Sequence, residues 1–289
     1  MRAFSKINLF LKVLGKRSDG YHNLQTVMQT LQWHDTVTIT VAGPATQGAG
    51  PVQVTCNHPG VPTDDKNLVT RAAKHLMALY PHLPTVVIDI DKRIPVAAGL
   101  AGGSSNCAAT LVGMNQLFGL GLTQAQLLTM GLHFGADVPF CIMQGTALAE
   151  GVGEVLTPLP THPPCWVVLA CLPLAVSTAQ VFAQYAPAPK AAPPVAPLIA
   201  ALNAEDLPGL AAHFYNALAP VTTAMHPQIV PLIQSMRALG ALNAAMSGSG
   251  PSVFGYFNKE ETAHAARRAL LQQYNNAVEV FVTAPHRPR

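Results

Sequence analysis

Pro95-Val96-Ala97-Ala98-Gly99-Leu100-Ala101-Gly102-Gly103-Ser104-Ser105-Asn106 joins two regular patterns. Upstream, Val86 to Ile90, rich in β-branched residues, suggests a strand. Downstream, a helix is expected from Ser104 or Ser105 to about Phe118, burying Ala108, Leu111, Val112 and Leu117. A glycine-rich loop between strand and helix fits phosphate. Glycines let the backbone curl until several N–H groups point at one anion, and the helix N-terminus adds positive partial charge. Ser104 and Ser105 either cap the helix or offer hydroxyls to phosphate and magnesium. No lysine follows the glycines as in a Walker A loop, and the spacing is not the dinucleotide fingerprint, so a cation has to come from elsewhere. Taken alone, the loop also fits a flexible turn with a serine cap.

Working outward, Ile7, Leu9, Leu11 and Val13 alternate with Lys6, Asn8, Phe10 and Lys12, the period of a half-buried strand that puts Lys6 and Asn8 on one face. Asp35 to Val41 reads as another strand. Asn67 is a candidate cap for a helix through Tyr80 with Val69, Ala72, Ala73, Leu76 and Tyr80 inward. Thr123 and Gln126 form a capping box for the next helix, with Gly135 as its end before Pro139. Past Glu154 a strand-like run from Cys165 to Leu174 leads to a loop from Pro187 to Pro197 carrying five prolines, expected to be mobile. The remainder reads helix, helix, strand (241–246), glycine-rich turn, strand (252–257), helix (260–274) and strand (278–282). Strands and helices without a steady β-α repeat indicate an α+β fold, in two domains, 1–160 and 161–289.

Composition narrows the function. The 289 residues are 49% hydrophobic and only 11% charged, which excludes disorder and suits two compact domains. Seventeen basic and 14 acidic residues are scattered, and pairs such as Lys16-Arg17 and Arg267-Arg268 make no stripe for nucleic acid. The five cysteines include no Cys-x-x-Cys and read as buried thiols in a reducing compartment. The eleven histidines have no metal-binding spacing. The uncharged stretch between Arg93 and Asp137 is too interrupted by glycine, serine and asparagine to span a membrane. Lys6, Asn8 and Lys12 break the only candidate signal segment, so a cytoplasmic location is expected.

Two more glycine-rich segments, Glu150-Gly-Val-Gly153 and Ser247-Gly-Ser-Gly-Pro251, read as hairpin turns or as places where backbone passes close to a ligand. Gly135-Ala-Asp137-Val-Pro139 sets one carboxylate in an uncharged neighbourhood. It is either a turn-forming Asp or the acceptor for a substrate hydroxyl proton, because phosphoryl transfer needs a positioned nucleophile and charge neutralisation above all. Lys6 is the candidate partner that keeps that carboxylate ionised.

With Ser5-Lys6-Ile-Asn8-Leu, Arg17-Ser-Asp19-Gly20-Tyr21-His22, the Pro95 to Ser105 loop, Gly135-Ala-Asp137-Val-Pro139 and Ser247-Gly-Ser-Gly-Pro251 in this order, the chain resembles the GHMP kinases along essentially its whole length. The resemblance implies a ribosomal-protein-S5-like N-terminal domain and a ferredoxin-like C-terminal domain. It implies ATP-dependent phosphorylation of a small-molecule alcohol with Mg2+ required, and Lys6 and Asp137 as the catalytic pair. ATP would be held by Pro95 to Ser105 with Asn67 and Lys92. Asn8, Tyr21, His22, Val152, Thr178 and Phe182 would form the pocket of a cytidyl-linked methylerythritol, whose cytosine His22 and Phe182 would sandwich. Ala98 and Ala101 depart from the glycines expected of relatives, harmlessly wherever their φ is negative.

Overall fold

The computed structural model describes residues 1–42, 51–186 and 192–288. In chain order they form β1 (Arg2–Lys16), β2 (His22–Val41), β3 (Val52–Cys56), α1 (Leu68–Leu79), β4 (Val86–Asp91), α2 (Gly102–Phe118), α3 (Gln124–Leu132), α4 (Val138–Met143), β5 (Thr146–Gly151), β6 (Val155–Pro158), β7 (Trp166–Cys171), α5 (Thr178–Gln184), α6 (Ala196–Asn203), α7 (Leu207–Ala212), β8 (Tyr215–Asn216), α8 (Ala219–Met225), α9 (Ile229–Ala238), β9 (Ala244–Met246), β10 (Val253–Phe257), α10 (Glu260–Gln273) and β11 (Glu279–Thr283). This mixture of helices and largely antiparallel strands is the expected α+β class.

Two compact units interleave along the chain. The first comprises Met1–Ser5, Trp33–Val96 and Ala101–Met143, and the second Lys6–Gln32, Ala97–Leu100 and Gln144–Arg289. This is a different partition from the single cut expected near residue 160, because β1 and β2 each contribute residues to both units.

In the first unit, β4 pairs antiparallel with 36–41 of β2 and parallel with β3. Val37, Ile88 and Ile90 pack under Ala72, Leu76, Leu111 and Met114 of α1 and α2. Asn67 caps α1 as expected, its side chain accepting from the Val69 amide, and Thr123 with Gln126 closes the capping box of α3. Three expectations are corrected here. α2 starts at Gly102 with no side-chain cap, because Ala101 turns left-handed at φ 56° and both serines fall inside the first turn. Leu117 is exposed, because the buried stripe of α2 stops at Met114, and Val112 is half-buried at the edge of that stripe, packed against the core. Gly135 does not end α3, which closes on His133; Pro139 instead sits in the first turn of α4, where its missing N–H costs nothing.

The second unit contains an antiparallel sheet in the order β11-β7-β10-β9. Leu232 and Met236 of α9 and Ala266 and Leu270 of α10 pack against Val168, Ala170 and Phe257 of that sheet. Residues 24–29 of β2 pair with β5, which pairs in turn with β6, so Glu150 to Gly153 is a hairpin turn. β1 meets β8 in parallel at Phe10 and Leu11. β1 is not half-buried: every residue from Ser5 to Leu11 is buried, Lys6 and Asn8 included, at 5% and 3% exposure. Of the proline-rich loop, 187–191 lies outside the described residues, while Pro197 belongs to the first turn of α6. Four cysteines are buried and Cys56 is half-buried, none of them in a disulfide; burial pushes the thiols of Cys107 and Cys171 up to about 12. Among the described residues no helix is long and apolar enough to cross a membrane.

Candidate active site

In the first unit the site is built on the start of α2. The first amides of a helix have no acceptor one turn back, so those of Gly102, Gly103 and Ser104 point outward with the positive end of the helix dipole. The first helical bond runs from the Ser105 amide to the Ala101 carbonyl at 2.8 Å. Gly102 and Gly103 differ in their surroundings. A methyl group on Gly102 would lie 2.8 Å from the Lys92 Nζ and 3.2 Å from Ile94, whereas on Gly103 it would meet nothing within 4 Å. The first glycine thus lets the loop pack on the protein, and the second leaves space in front of the amides. Of the two serines, Ser105 is buried and Ser104 half-buried, so Ser104 is the one able to reach a ligand.

The turn carrying Asp137 lies beside this helix start. A methyl group on Gly135 would be 3.9 Å from the Ser104 Oγ. The Val138 amide donates to the Gly135 carbonyl at 3.1 Å and the Cys141 amide to the Asp137 carbonyl at 3.0 Å, which fixes Asp137 at the head of α4 with its side chain half-buried. Two residues expected on ATP are engaged inside the protein. The Asn67 side chain accepts from the Val69 amide at 2.9 Å and donates to the Pro62 carbonyl at 2.6 Å. The Lys92 Nζ donates to Asp35 Oδ2 at 2.7 Å and to the Ile94 carbonyl at 2.5 Å.

In the second unit Lys6 Nζ donates to Asn8 Oδ1 at 2.8 Å, and Asn8 Nδ2 to Thr26 Oγ1 at 2.9 Å. The Thr26 hydroxyl donates to the Phe10 carbonyl, so the polar face of β1 is satisfied although buried. The middle of the glycine-rich loop, Ala97–Leu100, belongs to this unit. The Lys6 amide donates to the Leu100 carbonyl at 3.1 Å. Ser247 Oγ donates to the Gly99 carbonyl at 3.0 Å and accepts from the Asn8 amide at 3.3 Å. A methyl group on Gly99, at φ +74°, would lie 2.5 Å from the Ser247 carbonyl oxygen, so only glycine fits there. Thr178 and Ser249 share a hydroxyl hydrogen bond at 2.8 Å.

The rings of His22 and Phe182 stack on each other, centroids 5.2 Å apart and 28° from parallel, with Tyr185 edge-on to His22. At this spacing the rings are closed on each other, whereas a base between two rings needs two stacking gaps, about 7 Å in all. The pair is a platform, not an open slot. Tyr21, next to it in sequence, is 65% exposed, with its amide bonded to Asp19. Arg17 grips Asp19 through its side chain and holds that carboxyl below its ordinary range. Val152 lies in the β5–β6 turn, where the Glu154 carboxylate accepts from its amide at 2.6 Å.

Residues 67–145 match the family description "GHMP kinases N terminal domain", and residues 198–276 match "GHMP kinases C terminal". A 4-diphosphocytidyl-2-C-methyl-D-erythritol kinase of Syntrophomonas wolfei is 40% identical over 287 residues, 99% of this chain and 98% of the relative. The chain belongs to the GHMP kinase family. Another relative of this GHMP kinase with the same name, from Geobacillus kaustophilus, is 44% identical over 255 residues, 88% of the chain and 87% of the relative. The crystal structure of a 4-(cytidine 5'-diphospho)-2C-methyl-D-erythritol kinase superposes with a TM-score of 0.82 at 29% identity, covering 100% of this chain and 99% of that one. As a GHMP kinase, the chain is an ATP-dependent small-molecule kinase. Sequence reading had missed three anchors in this kinase: Thr26, which bonds Asn8 and the Phe10 carbonyl of β1, Asp35 at the glycine-rich loop, and Asn216, whose Nδ2 donates to the carbonyls of Met246 and Gly248, both at 2.8 Å. None of the three lies in a recognisable motif, and each acts on backbone or side chains far along the chain.

Proposed function

We propose that this kinase transfers the γ-phosphoryl group of ATP to the 2-hydroxyl of 4-diphosphocytidyl-2-C-methyl-D-erythritol, giving the 2-phosphate and ADP in non-mevalonate isoprenoid precursor synthesis. The observation that carries the reading is the shared name of full-length relatives at 40–44% identity. Within the first unit, the Ser104 hydroxyl beside the Asp137 turn supports it.

In this reading the outward amides at the start of α2 bind the phosphates of ATP. The acceptor oxygen attacks the γ-phosphorus, the bond to the β-phosphate oxygen breaks, ADP leaves, and Asp137 takes the hydroxyl proton. Lys6 supplies positive charge to the transferring group and is oriented by its bond to Asn8. Asn67 and Lys92 support the nucleotide side from within the fold. Asn8, Tyr21, His22, Val152, Thr178 and Phe182 make the acceptor pocket, where His22 and Phe182 part or offer one face to the cytosine. Magnesium suits the donors present. It usually keeps several waters and is bound largely through substrate phosphates, beside which Ser104 provides a hydroxyl. Bound there, Mg2+ would neutralise phosphate charge.

The family matches fall on either side of residue 160, which supports domains 1–160 and 161–289 in the family's sense. Five cysteines, none of them in a disulfide, and a need for ATP support a cytoplasmic location. The deciding assay mixes purified protein, Mg-ATP and the cytidyl substrate and follows ADP. No ADP release there, with turnover of homoserine or mevalonate instead, would assign a different acceptor.

A further inference from the structure

We infer that Asp35 is a positioning residue for ATP binding, holding Lys92 beneath the start of α2 and fixing the entrance to the phosphate loop. The inference rests on the reading of that loop as the ATP phosphate site. Asp35 sits in β2, sixty residues and more before the glycines, and its side chain has no exposure. Each carboxylate oxygen has a separate task. Oδ1 accepts from the amides of Arg93 and Ile94, both at 2.7 Å, and Oδ2 accepts from the Lys92 Nζ at 2.7 Å. The same ammonium binds the Ile94 carbonyl, so the peptide groups at 93 and 94 are gripped from both sides.

A buried ammonium at this place needs a reason. Its Nζ lies 2.8 Å from where a Gly102 methyl would be, so a cation has been set against the positive end of a helix, where cations are ordinarily disfavoured. Asp35 offsets that cost while the protein is empty. When phosphate arrives in front of the helix, the ammonium behind Gly102 adds to the field that attracts it. No lysine follows the glycines in sequence; Lys92 reaches the loop from behind, and Asp35 aims it.

The test is the ratio of ATP to adenosine affinity, because a device acting on phosphates leaves the nucleoside alone, whereas damage to the fold weakens both. In Asp35→Asn, one oxygen can still accept from the Arg93 and Ile94 amides, but an amide donor then faces the Lys92 ammonium. Calorimetry should show ATP affinity falling about tenfold or more relative to adenosine, the size expected for one charge-assisted hydrogen bond. The KM for ATP should rise with the KM for the alcohol substrate little changed. If Asp35→Asn does not fold, the ratio is read in Asp35→Asn/Lys92→Met, which removes both charges together. An ATP-to-adenosine ratio equal to that of the unaltered protein, in whichever variant folds, overturns the inference. If the unaltered protein itself does not prefer ATP to adenosine, the phosphate-loop reading fails instead.

Discussion

Replacing Gly103 by Ala separates the phosphate cradle from the fold that carries it. Gly103 is exposed, occupies the first turn of α2, and has nothing within 4 Å of the position a methyl would take. For the empty protein the change is favourable. Glycine within a helix costs roughly 0.5–1 kcal/mol relative to alanine, so the melting temperature should rise by about 1–3 °C. For the ATP complex the sign reverses. If phosphate oxygens bond to the neighbouring amides, the new methyl occupies the space they approach through, and forcing an extra carbon into a packed contact costs about 1–3 kcal/mol. That corresponds to about a 5- to 150-fold loss of ATP affinity. Differential scanning fluorimetry and steady-state KM for ATP measure the two halves on one preparation. A KM for ATP within about twofold of the original, in a protein that melts higher, would refute the cradle, since no phosphate could then pass close to Gly103. A lower melting temperature would refute the steric argument itself.

Asp137→Asn should lower kcat at least about a hundredfold while leaving ATP affinity nearly unchanged, because it removes only the proton acceptor; product formation under saturating substrate checks this. His22→Ala and Phe182→Ala should each raise the KM for the cytidyl substrate about tenfold and leave that for ATP alone, as expected of a base-stacking platform; equal effects on both substrates would remove the pair from the acceptor pocket. Ala101→Gly should stabilise the protein by up to about 1 kcal/mol, because the left-handed backbone costs alanine about 1–2 kcal/mol and glycine returns part of that as unfolded-state entropy; urea titration reads it. His162 is buried against the Tyr256 hydroxyl, and burial pushes it down to about 4 from 6.5, so its stabilising contribution is complete above pH 6.5 and is lost as the pH falls towards 4. The loss should approach about 3 kcal/mol near pH 4. Urea midpoints should therefore fall more steeply between pH 6.5 and 4 in the unaltered protein than in His162→Gln, and equal slopes would contradict the burial argument.

What the sequence made legible was the chemistry that closes over a few residues. Asn67 and the Thr123–Gln126 pair cap helices because donor and acceptor lie within one turn, and the glycines of 151–153 and 247–251 mark real turns for the same local reason. The strand of Lys6 and Asn8 was found, but its alternation suggested one wet face. That face is dry because its partners come from far away: Thr26 from β2, and Ser247, 239 residues along the chain from Asn8. No periodicity within seven residues can report such a cover. The same holds for the direct stacking of His22 on Phe182, which lies 160 residues further along the chain.

The glycine-rich loop before α2 shows why local rules give out where backbone is held from far along the chain. Ala97 and Ala101 both adopt left-handed backbone, at φ 55° and 56°, a conformation that propensity reserves for glycine, whereas Ala98 is not among the positive-φ residues. The condition under which alanine is harmless in the loop therefore fails at Ala101. Strain of this kind persists only where surroundings over-determine it. In the first unit the surroundings are the Asp35 carboxylate on the peptides of 93 and 94, with Lys92 and Ile94 closing on Gly102. In the second they are Ser247, packed on Gly99 and itself in the segment that Asn216 holds by its carbonyls. A loop clamped this way has its amides aimed before any phosphate binds, so less ordering cost remains to be met on binding. Loosening a clamp should thus weaken ATP more than it weakens the fold, which is the opposite of what removing an ordinary core contact does.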